Sequence, residues 1–388
     1  MAIDENYTTN IFAQGEQVSN AKVALVHDHL AQDGGAERVL MTLKEIFPAA
    51  PIFTLIIDKK NTNKFFLDQE IRTSYLQKIP LGVKKYQWWL ALMPFLTERH
   101  NLTGYDLVIS SASAFSKGVI TSPFSRHICY CYTPTRFLWS DAYSYVEGLK
   151  VNPLIKIILP FTLNKLRAWD KSAADKVDFF IASSQTVKDR IKKYYQRDSQ
   201  VVYPPVDVDN FYISNHPKKY YLAGGRLVPY KRIDLAVKAF VRLGIPLKIF
   251  GVGPEMKYLK NLACLRGRVK NNIEFLGKVS DKAKRDLFAN CLAYLNPQEE
   301  DFGITAIEAM ASGRPVIAYQ AGGATETVMA GQTGEFFEEQ WWEELADKII
   351  RFDETKYNPE LIRNHAKNFS LDNFKKRINE ILSYENRH

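Results

Sequence analysis

Metal-binding, secretory and membrane-spanning patterns are all missing from this sequence. Its four cysteines are Cys129, Cys131, Cys264 and Cys291. Cys129 and Cys131 alternate in ICYCY, the pattern of a buried strand, and no second close pair completes a zinc site. Free thiols in a reducing cytosol are the expected state. Residues 1–20, MAIDENYTTNIFAQGEQVSN, lack the basic start and apolar core of a signal peptide and read as a mobile leader. No run of 18 apolar residues occurs. YQWWLALMPFL and LIKIILPFTL are short and interrupted by proline or lysine, which argues against a membrane-spanning helix. A Walker A loop is absent, as is the GxGxxG dinucleotide fingerprint. Low-complexity segments and short-period repeats are absent too.

What is present is an ordinary globular composition, 46% hydrophobic and 24% charged. At 388 residues the chain is too long for one typical core, so two domains are expected. The net charge of +9 favours phosphate-bearing ligands, nucleic acid or an anionic membrane surface, or serves solubility alone.

Short β-branched runs alternate with longer helical patterns. The first series comprises KVALVHD (22–28), PIFTLII (51–57), DLVISS (106–111), RHICYCY (126–132) and DFFIASS (178–184). A second begins near residue 219 with KYYLAGG (219–225), PLKIFG (246–251), NIEFLG (272–277), AYLNP (293–297) and PVIAY (315–319). Strand–helix alternation predicts parallel sheets with helices on both faces, and two series predict two doubly wound α/β domains. The join is expected within VVYPPVDVDNF (201–211), where Pro204 and Pro205 interrupt regular structure. Ligands of such sheets bind beyond the carboxyl ends of the strands, so the glycine-rich loops there are where chemistry is expected.

Four of these loops hold candidate residues. In AGGRLVPYKR (223–232), Gly224 and Gly225 permit close backbone approach, and Arg226 and Lys231 supply two cations near a helix start. Solvated basic residues on a turn are the plain alternative. In HDHLAQDGGAERVL (27–40), Gly34 and Gly35 precede a helix whose first N–H groups can meet an anion. FGVGPE (250–255) offers two glycines without a third, a weak sign of a nicotinamide cofactor. The third loop, EEDFGITAIEAMASG (299–313), places Glu300 and Glu308 eight residues apart. On one continuous helix they would differ by about 80° and about 12 Å, too far to share a proton. Gly303 permits a turn between them, leaving Glu300 in a loop and Glu308 on a helix. Two solvated carboxylates are the alternative. YQAGGATETV (319–328) follows, with Gly322, Gly323 and Thr325 as further donors for phosphate.

Taken together, GGRLVPYKR, FGVGP, FLGKVSD and EEDFGITAIEAMASGRPVIAYQAGGATETV resemble, in order and spacing, the retaining glycosyltransferases of family four, which have the GT-B fold. The resemblance spans roughly residues 22 to 385. HDHLAQDGGAERVL, DLVISSASAFSKG and YCYTPTRFLW resemble the bacterial mannosyltransferase branch that builds O-antigen, capsule and exopolysaccharide repeat units. The fold implied is α/β, with two Rossmann-like domains facing across a cleft. They would comprise residues 21–204 on the acceptor side and 205–370 on the nucleotide-sugar side. The helix 371–388 would cross back to the first domain.

By that resemblance, Arg226 and Lys231 clamp the donor diphosphate with Gly225 beside them. Glu300 meets the donor sugar near the reacting carbon, and Glu308 binds the ribose. Phe302, Gly303, Ile304 and Thr305 lie where backbone amides meet sugar and phosphate, Gly34 and Gly35 under the diphosphate, and Lys278 and Val279 against the base. The sequence departs from the pattern at Tyr132, where many relatives have histidine. Tyr132 can donate a hydrogen bond but does not titrate near neutral pH, leaving Arg136 as the firmer candidate on the acceptor or sugar side.

The reaction implied is retaining transfer of a hexose, mannose from GDP-mannose by the first-half motifs, to a glycan or lipid-linked glycan hydroxyl. No cofactor and no metal is expected, and DVDN (207–210) reads as turn chemistry. Front-face attack, with a phosphate oxygen taking the acceptor proton, is the expected route, since no carboxylate has the context of a nucleophile. A UDP-sugar donor and a sugar-nucleotide epimerase of the same fold are the alternatives. A basic nucleic-acid or polysaccharide binder is disfavoured, because the cations sit in strand-end glycine loops. A cytoplasmic protein is expected. LGVKKYQWWLALMPFLTERH (81–100) reads either as a peripheral contact with an anionic membrane or as a core helix kinked at Pro94.

Overall fold

The computed structural model describes residues 21–142, 153–265, 268–269 and 272–384. The leader expected over 1–20 lies outside them. The chain divides into two compact units: residues 1–203 with 374–388, and residues 204–373.

The first unit is built on seven parallel strands. These are β1 (Val23–His27), β2 (Ile52–Thr54), β3 (Ile71–Thr73), β4 (Leu107–Ala112), β5 (Arg126–Cys131), β6 (Phe179–Ala182) and β7 (Ser199–Val201), in the order β3-β2-β1-β4-β5-β6-β7. β1 and β4 are buried at every residue, so each opens with consecutive apolar residues, VALV and LVI, rather than an alternation. The two faces nevertheless separate with period two. Leu25, Ile109, Tyr130 and Ile181 join one core, whereas Ala24, Val26, Cys129 and Cys131 face the other side. Cys129 and Cys131 are thus buried, free and on one face. Helix α1 (Gly35–Ile46) covers the first face with Val39, Leu40 and Leu43. The rest of that cover is the C-terminal segment, whose Phe374, Ile378 and Ile381 belong to the same core.

Beyond β2 the chain does not form one kinked core helix. A 3₁₀ segment, Tyr86–Leu92, leads into α2 (Met93–Glu98), and Pro94 lies in the first turn of α2, where its missing N–H costs nothing. Helices α3 (Pro153–Asp175) and α4 (Gln185–Tyr195) complete the unit. Lys117, after β4, forms a buried pair with Asp170 of α3 at 2.6 Å.

The second unit has six parallel strands, apart from a two-strand hairpin near residue 264. They are β8 (Tyr221–Gly224), β9 (Leu247–Phe250), β10 (Ile273–Gly277), β11 (Tyr294–Asn296), β12 (Val316–Tyr319) and β13 (Gly334–Phe337). Their order is β10-β9-β8-β11-β12-β13. The chain runs outward from β8 to β10, then restarts beside β8 with β11 and runs the other way. β8 and β11 therefore flank a topological switch point, where open α/β sheets bind ligands. Helices α5 (Ile233–Leu243), α6 (Met256–Leu262), α7 (Asp281–Asn290), α8 (Ile304–Ala311), α9 (Ala324–Thr327), α10 (Trp342–Arg351) and α11 (Pro359–Ala366) surround the sheet. Helix α12 (Leu371–Tyr384) starts in this unit and ends in the first. Both units are Rossmann-like, the α/β architecture of GT-B proteins. Among the described residues, no helix is long and apolar enough to cross a membrane.

Candidate functional site

In the second unit the candidate residues collect at the carboxyl ends of β8 to β12. Gly224 ends β8, and a Cβ there would come within 2.5 Å of the Phe250 ring. Gly225 has φ +123° and open space where a Cβ would stand. The two glycines of FGVGP are packing residues rather than a nicotinamide fingerprint. A Cβ on Gly251 would lie 1.7 Å from the Gly225 carbonyl oxygen, and one on Gly253 would lie 2.1 Å from that of Leu227. The β8 and β9 loops thus lie backbone against backbone, which fixes the course of the segment carrying Arg226 and Lys231.

Lys231 ends a 3₁₀ turn opened by Pro229, and its ammonium pairs with the Glu300 carboxylate. That pair joins the β8 loop to the β11 loop across the switch point. Arg226 donates to the Tyr230 hydroxyl at 3.2 Å. Arg232 adopts a left-handed φ of +47°, costly for a side chain with a Cβ. Its guanidinium donates to Gln340 Oε1 at 2.9 Å, and the Gln340 amide donates to the Pro297 carbonyl at 2.9 Å. Gln340 therefore ties the same two loops together from behind, a role that no local spacing reveals.

Glu300 and Glu308 are not solvated. They are 7% and 1% exposed. Glu300 precedes Gly303, whose φ of +97° turns the chain into α8, and Glu308 is the fifth residue of that helix. Glu308 accepts from Lys284 of α7 at 2.6 Å. Each glutamate is thus held by its own lysine. Tyr294, buried on β11, donates its hydroxyl to the Gly224 carbonyl at 3.0 Å, and burial, with Glu308 nearby, pushes its pKa well up. The hydroxyl stays protonated and stitches β11 to β8.

The loop after β12 packs against the backbone of Glu300. Gly323 donates its N–H to the Glu300 carbonyl at 2.8 Å. A Cβ on Gly322 would lie 2.3 Å from the same oxygen. The Thr325 hydroxyl donates to the Gly322 carbonyl at 2.8 Å. Gly323 and Thr325 are therefore hydrogen-bonded to the loop backbone. The Phe302 side chain is buried edge-on against Phe369, 5.6 Å between centroids. Ile304 and Thr305 open α8, whose first-turn N–H groups have no intrahelical acceptors. Lys278, exposed, and Val279, half-buried, follow β10.

In the first unit, Gly34 caps α1 and donates its own N–H to Glu37 Oε2 at 2.9 Å. Gly35 is the first residue of α1. Glu37 is buried 3.8 Å from His27 Nε2. Burial alone would raise its pKa, but His27 outweighs this and holds the carboxyl below its usual range. His27 Nδ1 meets the Ser111 hydroxyl at 3.0 Å, which meets the Tyr132 hydroxyl at 2.7 Å. Tyr132 also donates to the Ala36 carbonyl at 2.9 Å. Its hydroxyl proton thus helps to hold the start of α1. Arg136 donates from Nε to Asp141 at 2.9 Å. His127 is fully buried against Ser110, and burial lowers its pKa to about 4, so it is a neutral core residue.

Asp28 explains the unusual SASAFS loop. Its two carboxylate oxygens accept four backbone N–H groups, from Ser113, Ala114, Phe115 and Ser116, at 2.7–2.9 Å. Burial would raise its pKa, but His27 and the Ser116 amide outweigh this and lower it.

The strand-end site at the switch point brings Arg226 and Lys231 near a buried carboxylate, side chains whose charges can meet phosphate and hydroxyl groups. Residues 205–369 match the family of glycosyl transferases group 1. The sequence is 25% identical to the alpha-1,3/1,6-mannosyltransferase ALG2 of Candida glabrata, over 89% of this chain and 88% of that protein. It is 27% identical to the O-antigen chain mannosyltransferase RfbU of Salmonella typhimurium, over 55% and 62%. Among the first relatives matched, the shared stretch spans 57% to 88% of their own lengths. In fold, the chain is similar to HepE of Anabaena, whose structure is in complex with UDP-glucose. The TM-score is 0.70 at 20% identity, over 94% of this chain and all of that one. That family match lies wholly within the second unit and covers less than half of the chain, and the likeness to solved structures is one of fold.

Proposed function

We propose that the protein is a retaining hexosyltransferase. It moves mannose from GDP-mannose to a hydroxyl of a glycan or lipid-linked glycan, in the synthesis of a bacterial surface polysaccharide. The observation that carries the reading is the Lys231–Glu300 pair across the switch point of the second unit. The leaving diphosphate gains negative charge while the sugar becomes oxocarbenium-like. Lys231 and Arg226 stabilise the first, and Glu300 lies where it can engage the second. On this reading the donor diphosphate competes with Glu300 for Lys231, freeing the carboxylate for the sugar hydroxyls. Glu308, steadied by Lys284, takes the ribose, and the α8 amides meet sugar and phosphate. The cations are side chains, so we propose that transfer needs no resident metal. Front-face attack accounts for retention, with Glu300 kept as a sugar contact rather than a nucleophile. The mannose assignment draws on the similarity to ALG2 and RfbU. The proposed setting is the cytoplasm, next to the membrane that displays the acceptor.

Thermal unfolding with added GDP, UDP and their sugars tests the donor. A rise in Tm with GDP and GDP-mannose is expected. A rise with UDP compounds and none with GDP overturns the mannose assignment, and no rise with any of them overturns the donor site.

A further inference from the structure

Residues 71–97, between Glu70 and Glu98, contain no aspartate or glutamate, yet hold Arg72, Lys78, Lys84 and Lys85. In the same stretch Tyr75, Leu81, Trp88, Leu92 and Phe95 are large apolar side chains exposed to solvent, Trp88 at 73% and Phe95 at 55%. Such exposure normally marks an interaction surface. The segment is not loose. Trp89, Leu90 and Tyr86 pack with Leu76, Met93 and Leu96 in a core cluster, so one side is anchored while the other faces water. A Cβ on Gly82 would lie 2.1 Å from the Leu76 carbonyl oxygen, and Leu81 beside it adopts φ +61°. The turn is therefore pressed onto the Tyr75–Lys78 segment with Leu81 exposed.

Cations accompany the exposed aromatics. Lys85 Nζ lies 5.0 Å from the Trp88 ring centroid, and the Arg99 guanidinium 5.3 Å from that of Phe95. Arg99 also lines an open pocket of about 330 Å³, together with Arg72, Lys78, Asn101 and Phe53. Arg72 is shared with Glu70, at 2.6 Å. A protein interface core is depleted in lysine. Aromatics at headgroup depth with lysine and arginine around them suit a lipid surface instead.

We propose that this face of the first unit docks on an anionic phospholipid bilayer. Trp88, Leu92 and Phe95 enter the headgroup boundary, Lys84 and Lys85 meet the surface charge, and the Arg99–Lys78 pocket receives a headgroup phosphate. The proposal is independent of the donor reading, because vesicle binding requires no nucleotide.

Sedimentation of the full chain with vesicles tests it. Binding to phosphatidylcholine vesicles containing phosphatidylglycerol should exceed binding to phosphatidylcholine alone by at least about ten-fold. W88S/F95S should bind the anionic vesicles at least about ten-fold more weakly. K84E/K85E should lose more, since each basic residue at an anionic surface contributes roughly five-fold. K78A/R99A should weaken binding to anionic vesicles and leave binding to neutral ones unchanged. All these side chains are at the surface, and circular dichroism checks that each variant is folded. Equal binding to both vesicle types, binding to neither, or unaltered binding by W88S/F95S and K84E/K85E overturns the proposal. Binding to neither type would point to a protein partner on this face.

Discussion

Replacing Lys231 by alanine is expected to lower the turnover of sugar transfer by about 10²–10³, the usual cost of losing one preorganised group at a developing anion. Two effects of the change add. The leaving diphosphate loses a fixed cation, and Glu300, only 7% exposed, loses the ammonium it pairs with. Steady-state kinetics separate them. Loss of transition-state charge stabilisation lowers kcat and kcat/KM together, whereas loss of ground-state donor binding raises KM with kcat unchanged. Glu300→Gln provides the complement, since it keeps hydrogen-bonding capacity and removes charge. If Glu300 only holds the sugar, E300Q moves KM, and if it also stabilises positive charge on the sugar, it lowers kcat. A fall of less than about five-fold for K231A would place Lys231 away from the leaving group.

The second large effect is on stability and lies in the first unit. Lys117 and Asp170 are each 1% exposed. Asp170 accepts from Lys117 at 2.6 Å, Thr135 Oγ1 at 2.7 Å, Trp139 Nε1 at 2.8 Å and the Tyr195 hydroxyl at 2.7 Å. The carboxylate is therefore fully coordinated, but Lys117 is its cation in this network. Lys117→Met leaves a buried carboxylate without countercharge and should cost about 3–5 kcal/mol in urea unfolding. Asp170→Leu added to K117M should recover part of this, because the pair rather than either charge is what the interior tolerates. Burial alone would lower the lysine pKa, but Asp170 outweighs it and raises it above the ordinary 10.5. The folded value is the raised one, so the contribution is complete below about pH 10 and is lost only as pH rises through that value. At neutral pH the full loss should be seen. A loss under about 1 kcal/mol would mean that Lys117 is not the ion partner of Asp170.

Legibility in the sequence followed burial. The strands read from sequence, such as KVALVHD and DLVISS, are buried at every strand residue and so carry runs of consecutive apolar residues. Those that went unread in the two parallel sheets are β3 (IRT), β7 (SQV) and β13 (GEFF), each at the edge of its sheet. Edge strands are short and partly solvated, so neither an apolar run nor a clean alternation marks them. The segment 81–100 misled for a related reason. Its apolar residues do not share one buried side: Met93 and Leu96 are interior while Trp88, Leu92 and Phe95 are outside.

At the candidate site, residue types were legible and partnerships were not. Gly303 between two glutamates announced a turn before a helix, and the helix begins at Ile304. Nothing in the local pattern announced that Lys284, 24 residues earlier, would pair with Glu308. Nor did it announce that Gln340 would clasp Arg232 from 108 residues away. Tyr132 shows the same limit in reverse. Its hydroxyl looked available, but the Ala36 carbonyl from 96 residues upstream takes it. Glycine pairs were ambiguous in kind. Those at 251 and 253 make room for other backbone, whereas Gly225 leaves room for something else.

The central claim is that a hexose leaves its nucleoside diphosphate with configuration retained. Proton NMR of GDP-mannose incubated with the protein and a bacterial lipid-linked glycan fraction tests this most directly. The account predicts release of GDP together with a new α-linked mannose anomeric signal, both suppressed in K231A. A β-linked product, or GDP-mannose and every other nucleotide sugar tried remaining intact, would contradict it.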